Sequence, residues 1–170
     1  PTINSYKRIN APVTASGATW APNTITYSGN NRTHMVRVPG PGRFELRLMD
    51  GATNPYLLQA GILAAGIDGI EKKRNPGKPI NVNMYEEGHK VKGAKKLPLT
   101  LEKALSHLDK SKVLKDAFSK ETINSYIKLK NKEIKKYQSS NTKKIGFKGS
   151  KQSAKKNIIT QWEKDNTLDC

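Results

Sequence analysis

Val36-Arg37-Val38-Pro39-Gly40-Pro41-Gly42-Arg43-Phe44-Glu45-Leu46-Arg47-Leu48 is the stretch whose reading decides the fold. Two short runs that read as strands flank Pro39–Gly42, and a Pro/Gly pair repeated over four residues is a turn signal, so the two runs form a hairpin. In Arg43–Leu48 the alternation is strict. Phe44, Leu46 and Leu48 point one way, toward a core, and Arg43, Glu45 and Arg47 point the other. A charged strand face is usually a solvated face. The distribution of arginine argues for more. All six arginines (Arg8, Arg32, Arg37, Arg43, Arg47 and Arg74) lie in residues 1–74, and every later basic residue is lysine. Arginine grips phosphate and carboxylate with a planar fork, whereas lysine is a mobile point charge. Arginines gathered around one carboxylate point to a site for an anionic substrate.

Working outward, residues 1–54 read as strands and turns, with Thr24–Tyr27 and Thr33–Val38 as candidate strands and Asn30-Asn31 as a tight turn. Asn54-Pro55 starts a helix, asparagine as cap and proline at the first helical position. Residues 56–70 are apolar nearly all round, which predicts the most buried element of the chain. Lys72, Lys73 and Arg74 suit its C-terminal dipole, and Asn75-Pro76-Gly77 ends it. Residues 75–99 read as a long polar connection. Thr100–His107 and Asp109–Phe118 read as short helices. Ser119 then caps a longer helix carrying Ile123, Tyr126, Ile127, Ile134 and Tyr137 on one side. Residues 138–156 form a basic low-complexity loop, and 157–170 an anchor and tail.

The chain of 170 residues carries a net charge of +17, with 35% hydrophobic residues. That length suits one domain or part of a larger one. The charge is uneven, +6 on residues 1–79 and +11 on residues 80–170. Such a balance attracts nucleic acid or anionic membrane. The lysines lack interleaved aromatics for base stacking, so solvated faces are the expected reading and nucleic acid an unlikely partner. No apolar run reaches membrane-spanning length and there is no apolar N-terminal signal segment. The single cysteine, Cys170, forms no internal disulfide, which makes the cytoplasm the expected compartment.

Glu45 is the best metal-ligand candidate, since magnesium takes one or two carboxylates beside substrate phosphates. No other ligand cluster accompanies it, and a salt bridge to Arg43 and Arg47 is an equal reading. His34, beside the arginines, is expected to be a structural hydrogen-bonding residue rather than an acid or base. Neither a phosphate loop nor a nucleophile–histidine arrangement is legible.

Several separated motifs resemble one family when taken in order. Asn4-Ser5-Tyr6-Lys7-Arg8, Asn31-Arg32-Thr33, Val36-Arg37-Val38-Pro39, Arg43-Phe44-Glu45-Leu46-Arg47 and Asn54-Pro55-Tyr56-Leu57, followed by Ala64–Ile70, are similar to the C-terminal part of the glutamine synthetase catalytic domain. The likeness is greatest to the type III glutamate–ammonia ligase branch, which includes enzymes making γ-glutamylmethylamide. It implies an α+β chain, part of an antiparallel β-barrel catalytic domain with packed helices, spanning residues 1–137. It also implies an ATP-dependent ligase acting through γ-glutamyl phosphate, with ATP, Mg2+ or Mn2+, L-glutamate and ammonia or methylamine, in a homo-oligomer. By the same resemblance Arg8 holds glutamate. Arg32 and Arg37 face the ATP phosphates and the phosphoryl group in transit, Arg32 also touching glutamate. Glu45 binds the metal, and Arg47 binds the carboxylate or the developing acyl phosphate. Trp20-Ala21-Pro22 stands where many members carry a glutamate that helps bind ammonium, and an indole cannot bind a cation as a carboxylate does. The family's upstream half has no counterpart here, so the chain is expected to be a C-terminal fragment that does not catalyse alone. The competing reading is a non-enzymatic basic protein binding nucleic acid or an acidic partner on a remnant of this fold. The ligase reading requires Arg37, Glu45 and Arg47 to share one face, which holds only if the hairpin register pairs Arg37 with an odd-numbered position.

Overall fold

A computed structural model describes residues 2, 3, 5, 6, 21–142, 162, 165 and 166. The expectations for Arg8, Trp20, residues 143–156 and Cys170 lie outside these residues. Strands β1 (Tyr27–Ser28), β2 (Val36–Gly40) and β3 (Arg43–Leu46) form a three-stranded sheet in that order. The α+β class holds. The sheet is mixed rather than antiparallel throughout, because β1 runs parallel to β2. The turn 28–35 makes this possible, bringing the chain round so that Tyr27 faces Val36 and Ser28 faces Arg37.

The hairpin closes through Pro41-Gly42. Proline fixes its own φ, and Gly42 adopts φ 70°, the combination a type II turn requires. Gly40 pairs with Arg43 and Arg37 with Glu45, with a register shift between them. Val38 and Pro39 therefore oppose Phe44 alone, two residues against one, which is a β-bulge. The bulge matters for the site. Without it, the Gly40–Arg43 pairing would continue to Arg37 opposite Leu46 and turn Arg37 onto the apolar side; with it, Arg37 faces Glu45.

The segment read as a polar connection docks back on the sheet. Ile25 N–H donates to the Lys95 carbonyl at 2.8 Å, Leu97 N–H to Asn23 at 2.9 Å and Ile80 N–H to Tyr27 at 3.0 Å. It also carries a helical turn, α2 (Met84–Glu87), capped by Asn83 and followed by a 3-10 turn at Gly88–Lys90.

Helix α1 (Pro55–Glu71) starts as the sequence predicts: Leu57 N–H donates to the Asn54 side chain at 3.0 Å, with proline at the first turn. Its burial does not follow the prediction. None of its residues is buried; Leu58 and Ile62 are half-buried and Ile67 is 54% exposed. A helix apolar on all sides needs cover on all sides, and among the described elements only α4 packs extensively against it. Helices α3 (Leu101–Lys110) and α4 (Lys112–Phe118) are capped by Thr100 and Ser111. Helix α5 runs from Lys120 to Thr142, so residues 138–142 are helical and not part of a loop. The core sits between α3 and α5, where Leu101, Leu105 and Ile134 are buried and Ile3, Tyr6, Leu108, Tyr126 and Ile127 pack around them. Burial pushes the Tyr6 phenol up to about 12. Trp162 stands edge-on to Tyr137, ring centroids 5.3 Å apart. Among the described residues no helix is long and apolar enough to cross a membrane.

Candidate functional site

The hairpin and the turn before it build a cleft of about 310 Å³ lined by Arg32, Arg37, Pro39, Arg43 and Glu45. The turn is fixed first. His34 is wholly buried, with Nδ1 3.0 Å from Thr26 Oγ1 and Nε2 3.0 Å from the Val82 carbonyl. A carbonyl only accepts, so Nε2 carries a proton and the ring is a structural bolt, as the sequence led us to expect. Asn31 donates from Nδ2 to the same Val82 carbonyl at 2.9 Å and accepts from Thr33 N–H. Thr33 Oγ1 in turn accepts from Met84 N–H at 2.9 Å. These bonds tie the turn to residues 82–84 and leave Arg32 exposed at the mouth of the cleft.

Glu45 is the centre of the charged face. Its Oε2 accepts from Arg37 Nη1 and its Oε1 from Arg47 Nη1, both at 2.7 Å. Arg37, Glu45 and Arg47 therefore share one face, as the ligase reading requires. The sequence reading named Arg43 as a salt-bridge partner of Glu45, and this is corrected. Beyond the bulge Arg43 pairs with Gly40, and its side chain lines the cleft without an ion pair to Glu45. The hydrogen bond from Arg37, reinforced by Arg47, holds the Glu45 carboxyl below its ordinary 4.5. Burial on this face runs against the usual order: the Arg37 side chain is only 14% exposed, whereas Phe44 on the apolar side is 63% exposed.

One residue was missed by the sequence reading. Asn30 Oδ1 accepts from Arg37 Nε at 2.9 Å and also from Nη2. Its sequence context marks only a turn; the signal available is that an arginine has five N–H groups needing acceptors. Arg47 offers a different clue. Its Nε is buried and has no hydrogen-bond partner among the described residues. Leaving such a donor unsatisfied costs about 1–3 kcal/mol.

These observations also test the expected metal. Both Glu45 oxygens already accept from guanidinium groups, the cleft is otherwise lined by cationic side chains, and no cluster of three His, Cys, Asp or Glu occurs among the described residues. A divalent cation needs about six oxygen ligands. By themselves these residues fit an anion and do not fit Mg2+ or Mn2+.

Comparison with known proteins identifies the family. The family model "Glutamine synthetase, catalytic domain" matches residues 1–146. A glutamine synthetase of Rhizobium leguminosarum bv. phaseoli is 55% identical over 169 residues, covering 99% of this chain and 35% of that protein. A glutamate–methylamine ligase of Methyloversatilis universalis is 44% identical over 140 residues, covering 81% of this chain and 31% of that protein. Among solved structures, a GmaS/ADP complex superposes with a TM-score of 0.75 at 50% identity, covering all of this chain and 35% of the other. The chain thus spans about a third of the length of the curated relatives it matches. A match over 146 of its residues places the chain in the glutamine synthetase catalytic-domain family.

Proposed function

We propose that this chain supplies the arginine–glutamate part of the active site of an ATP-dependent glutamate–ammonia ligase, working within a longer protein. The observation that carries the proposal is the single charged face on which Arg37 and Arg47 both grip Glu45 while Arg32 and Arg43 line the adjoining cleft. Joining glutamate to an amine requires the γ-carboxylate oxygen to attack the terminal phosphorus of ATP, with ADP leaving. The amine nitrogen then attacks the acyl carbon of γ-glutamyl phosphate and phosphate leaves. Both steps gather negative charge at one place, and arginines held in advance stabilise it without reorganising.

In this reading Arg32 and Arg37 face the ATP phosphates and the phosphoryl group in transit, with Arg32 also reaching glutamate. Arg47 takes the carboxylate or the developing acyl phosphate, and Arg8 holds glutamate. Glu45 orients the two guanidinium groups that pinch it. Its role as a ligand to Mg2+ or Mn2+ rests on family membership and requires oxygen ligands besides those described. The assembly is proposed to be a homo-oligomer in the cytoplasm.

Methylamine is the second amine to test, because a glutamate–methylamine ligase and GmaS are among the relatives. The deciding experiment grafts residues 1–170 in place of the matching third of the Rhizobium leguminosarum enzyme. The graft is then assayed for glutamate-dependent ADP release with ammonia and with methylamine. Turnover with either amine supports the ligase reading, and their ratio assigns the amine. A correctly assembled graft that turns over neither overturns it.

A further inference from the structure

We propose that Asn30 is the positioning residue for Arg37, fixing which edge of its guanidinium is offered to an incoming phosphate. The proposal rests on the ligase reading for its catalytic consequence, and on geometry alone for its structural part.

Arg37 is held on two edges. Asn30 Oδ1 accepts from Nε at 2.9 Å and from Nη2, and Glu45 Oε2 accepts from Nη1 at 2.7 Å. Three of the five N–H groups are used, leaving two on the terminal nitrogens for a ligand. Glu45 alone would leave the group free to pivot about a single Nη1 contact. Asn30 supplies the second point, which removes that rotation.

Asn30 itself sits on a fixed backbone. The Gly29 carbonyl accepts from Val38 N–H at 3.1 Å and from Asn31 N–H at 2.7 Å, and Asn31 is anchored to the Val82 carbonyl. The acceptor is therefore in place before any ligand arrives, the condition under which a charged donor stabilises a transition state most.

The residue type fits the task. A neutral amide oxygen orients the guanidinium without cancelling its charge. With Glu45 already present, a second carboxylate at position 30 would pair off Arg37 and reduce the excess of positive charge in the cleft. Asparagine keeps the orientation and spares the charge.

The test has two arms. In the 170-residue chain, the Arg37 Nε–H resonance, assigned by its loss in Arg37→Lys, should exchange at least tenfold faster with solvent in Asn30→Ala and remain protected in Asn30→Asp. An unchanged Arg37 signal in Asn30→Ala overturns the proposal. In the grafted ligase, Asn30→Ala should lower kcat about tenfold with little change in the KM for glutamate. Asn30→Asp should recover most of kcat but raise the KM for ATP. In an Arg37→Ala background, Asn30→Ala should add no further loss; an undiminished loss there would show that Asn30 acts without Arg37 and overturns the proposal. If Arg37→Ala proves as active as the parent, the ligase role of Arg37 fails, and the exchange measurement still decides whether Asn30 holds it.

Discussion

Replacing Arg37 by alanine in the grafted ligase should slow turnover by about a hundred- to a thousand-fold. The side chain is 14% exposed and is held by Asn30 and Glu45, so its charge acts from a fixed point in a partly desolvated place. Removing one preorganised donor of this kind costs roughly 3–4 kcal/mol of transition-state stabilisation, which is that factor in rate. Arg37→Lys should be a poor rescue, about tenfold below the parent at best. An ammonium has no fork with which to hold Asn30 and Glu45 while facing a phosphate. The assay is ADP release at saturating glutamate and amine, with subunit assembly and helical content checked for each variant. Neutralising the lysines of residues 138–156 supplies the contrast and should leave the rate nearly unchanged. A correctly assembled Arg37→Ala enzyme within threefold of its parent would refute the reasoning, because a contact stabilising the transferred phosphoryl group cannot be removed so cheaply. Collapse of activity in the lysine variant would instead favour the basic segment as the functional element.

Three further outcomes follow from the structure. Glu45, held below its ordinary 4.5 by Arg37 and Arg47, should titrate below that value by carboxyl carbon-13 resonance and move back up in Arg37→Ala. A lowered folded pKa means that its stabilisation is present above about 4.5 and is lost as pH falls through the folded value; a midpoint at or above 4.5 would contradict the two ion pairs. Tyr6, raised from 10.0 to about 12 by burial, holds its proton more tightly folded than unfolded. Its contribution is thus complete below pH 10 and lost between 10 and 12, and the ultraviolet titration component near 12 should vanish in Tyr6→Phe. Ser119 adopts φ 68° and ψ 149°, a region open essentially to glycine, while its Oγ accepts from Thr122 N–H at 3.2 Å. Relief of strain outweighs the lost cap in Ser119→Gly, which should gain about 0.5–1 kcal/mol in urea unfolding, whereas Ser119→Ala keeps the strain, loses the cap and should lose about 1 kcal/mol. A glycine variant less stable than the parent would rule out the strain.

Local rules carried the sequence reading where chemistry is local. Caps at Asn54 and Ser119 start helices because their side chains meet an unpaired backbone N–H three residues on, a relation visible in the sequence. The alternation in Arg43–Leu48 placed Glu45 and Arg47 on one face for the same reason. Register was not legible. Whether Arg37 joins them depends on a bulge that inserts one residue between Arg37 and Gly40; Pro39, which has no N–H for the ladder, marks a break in pairing but not the register that follows. The docking of residues 75–99 was also hidden, because its bonds from Ile25, Leu97 and Ile80 N–H join backbone atoms that every sequence possesses, and its side-chain bonds from Tyr27, Asn31 and His34 span about fifty residues. The length of α5 was underread because Gln138-Ser139-Ser140 looks like loop composition. In the structure Ser139 and Ser140 turn their hydroxyls onto the carbonyls of Lys136 and Tyr137, 2.9 Å each, and the helix carries on.

Burial of α1 and of the hairpin carries the most consequence for function. Apolar pattern predicts that a side chain prefers burial, but it does not name the surface that provides it. Phe44, Leu63, Ile67 and Ile70 are more than half exposed, whereas Arg37 and Arg47 on the polar side are covered by Asn30, Glu45 and the strands around them. In this chain the hydrogen-bonded face is assembled and the apolar face is open. That order suits a catalytic part better than a self-sufficient core: arginines poised around a carboxylate must be positioned by their own neighbours, since an error of about 1 Å in such a constellation already costs two orders of magnitude in rate. Apolar surface tolerates being matched later, because hydrophobic contact is non-directional and asks only for shape and area. The open face beside α1 and β3 is therefore compatible with a pre-built charged cleft. Within the longer ligase proposed for this chain, covering that face would add stability without having to rearrange Asn30, Arg37, Glu45 or Arg47.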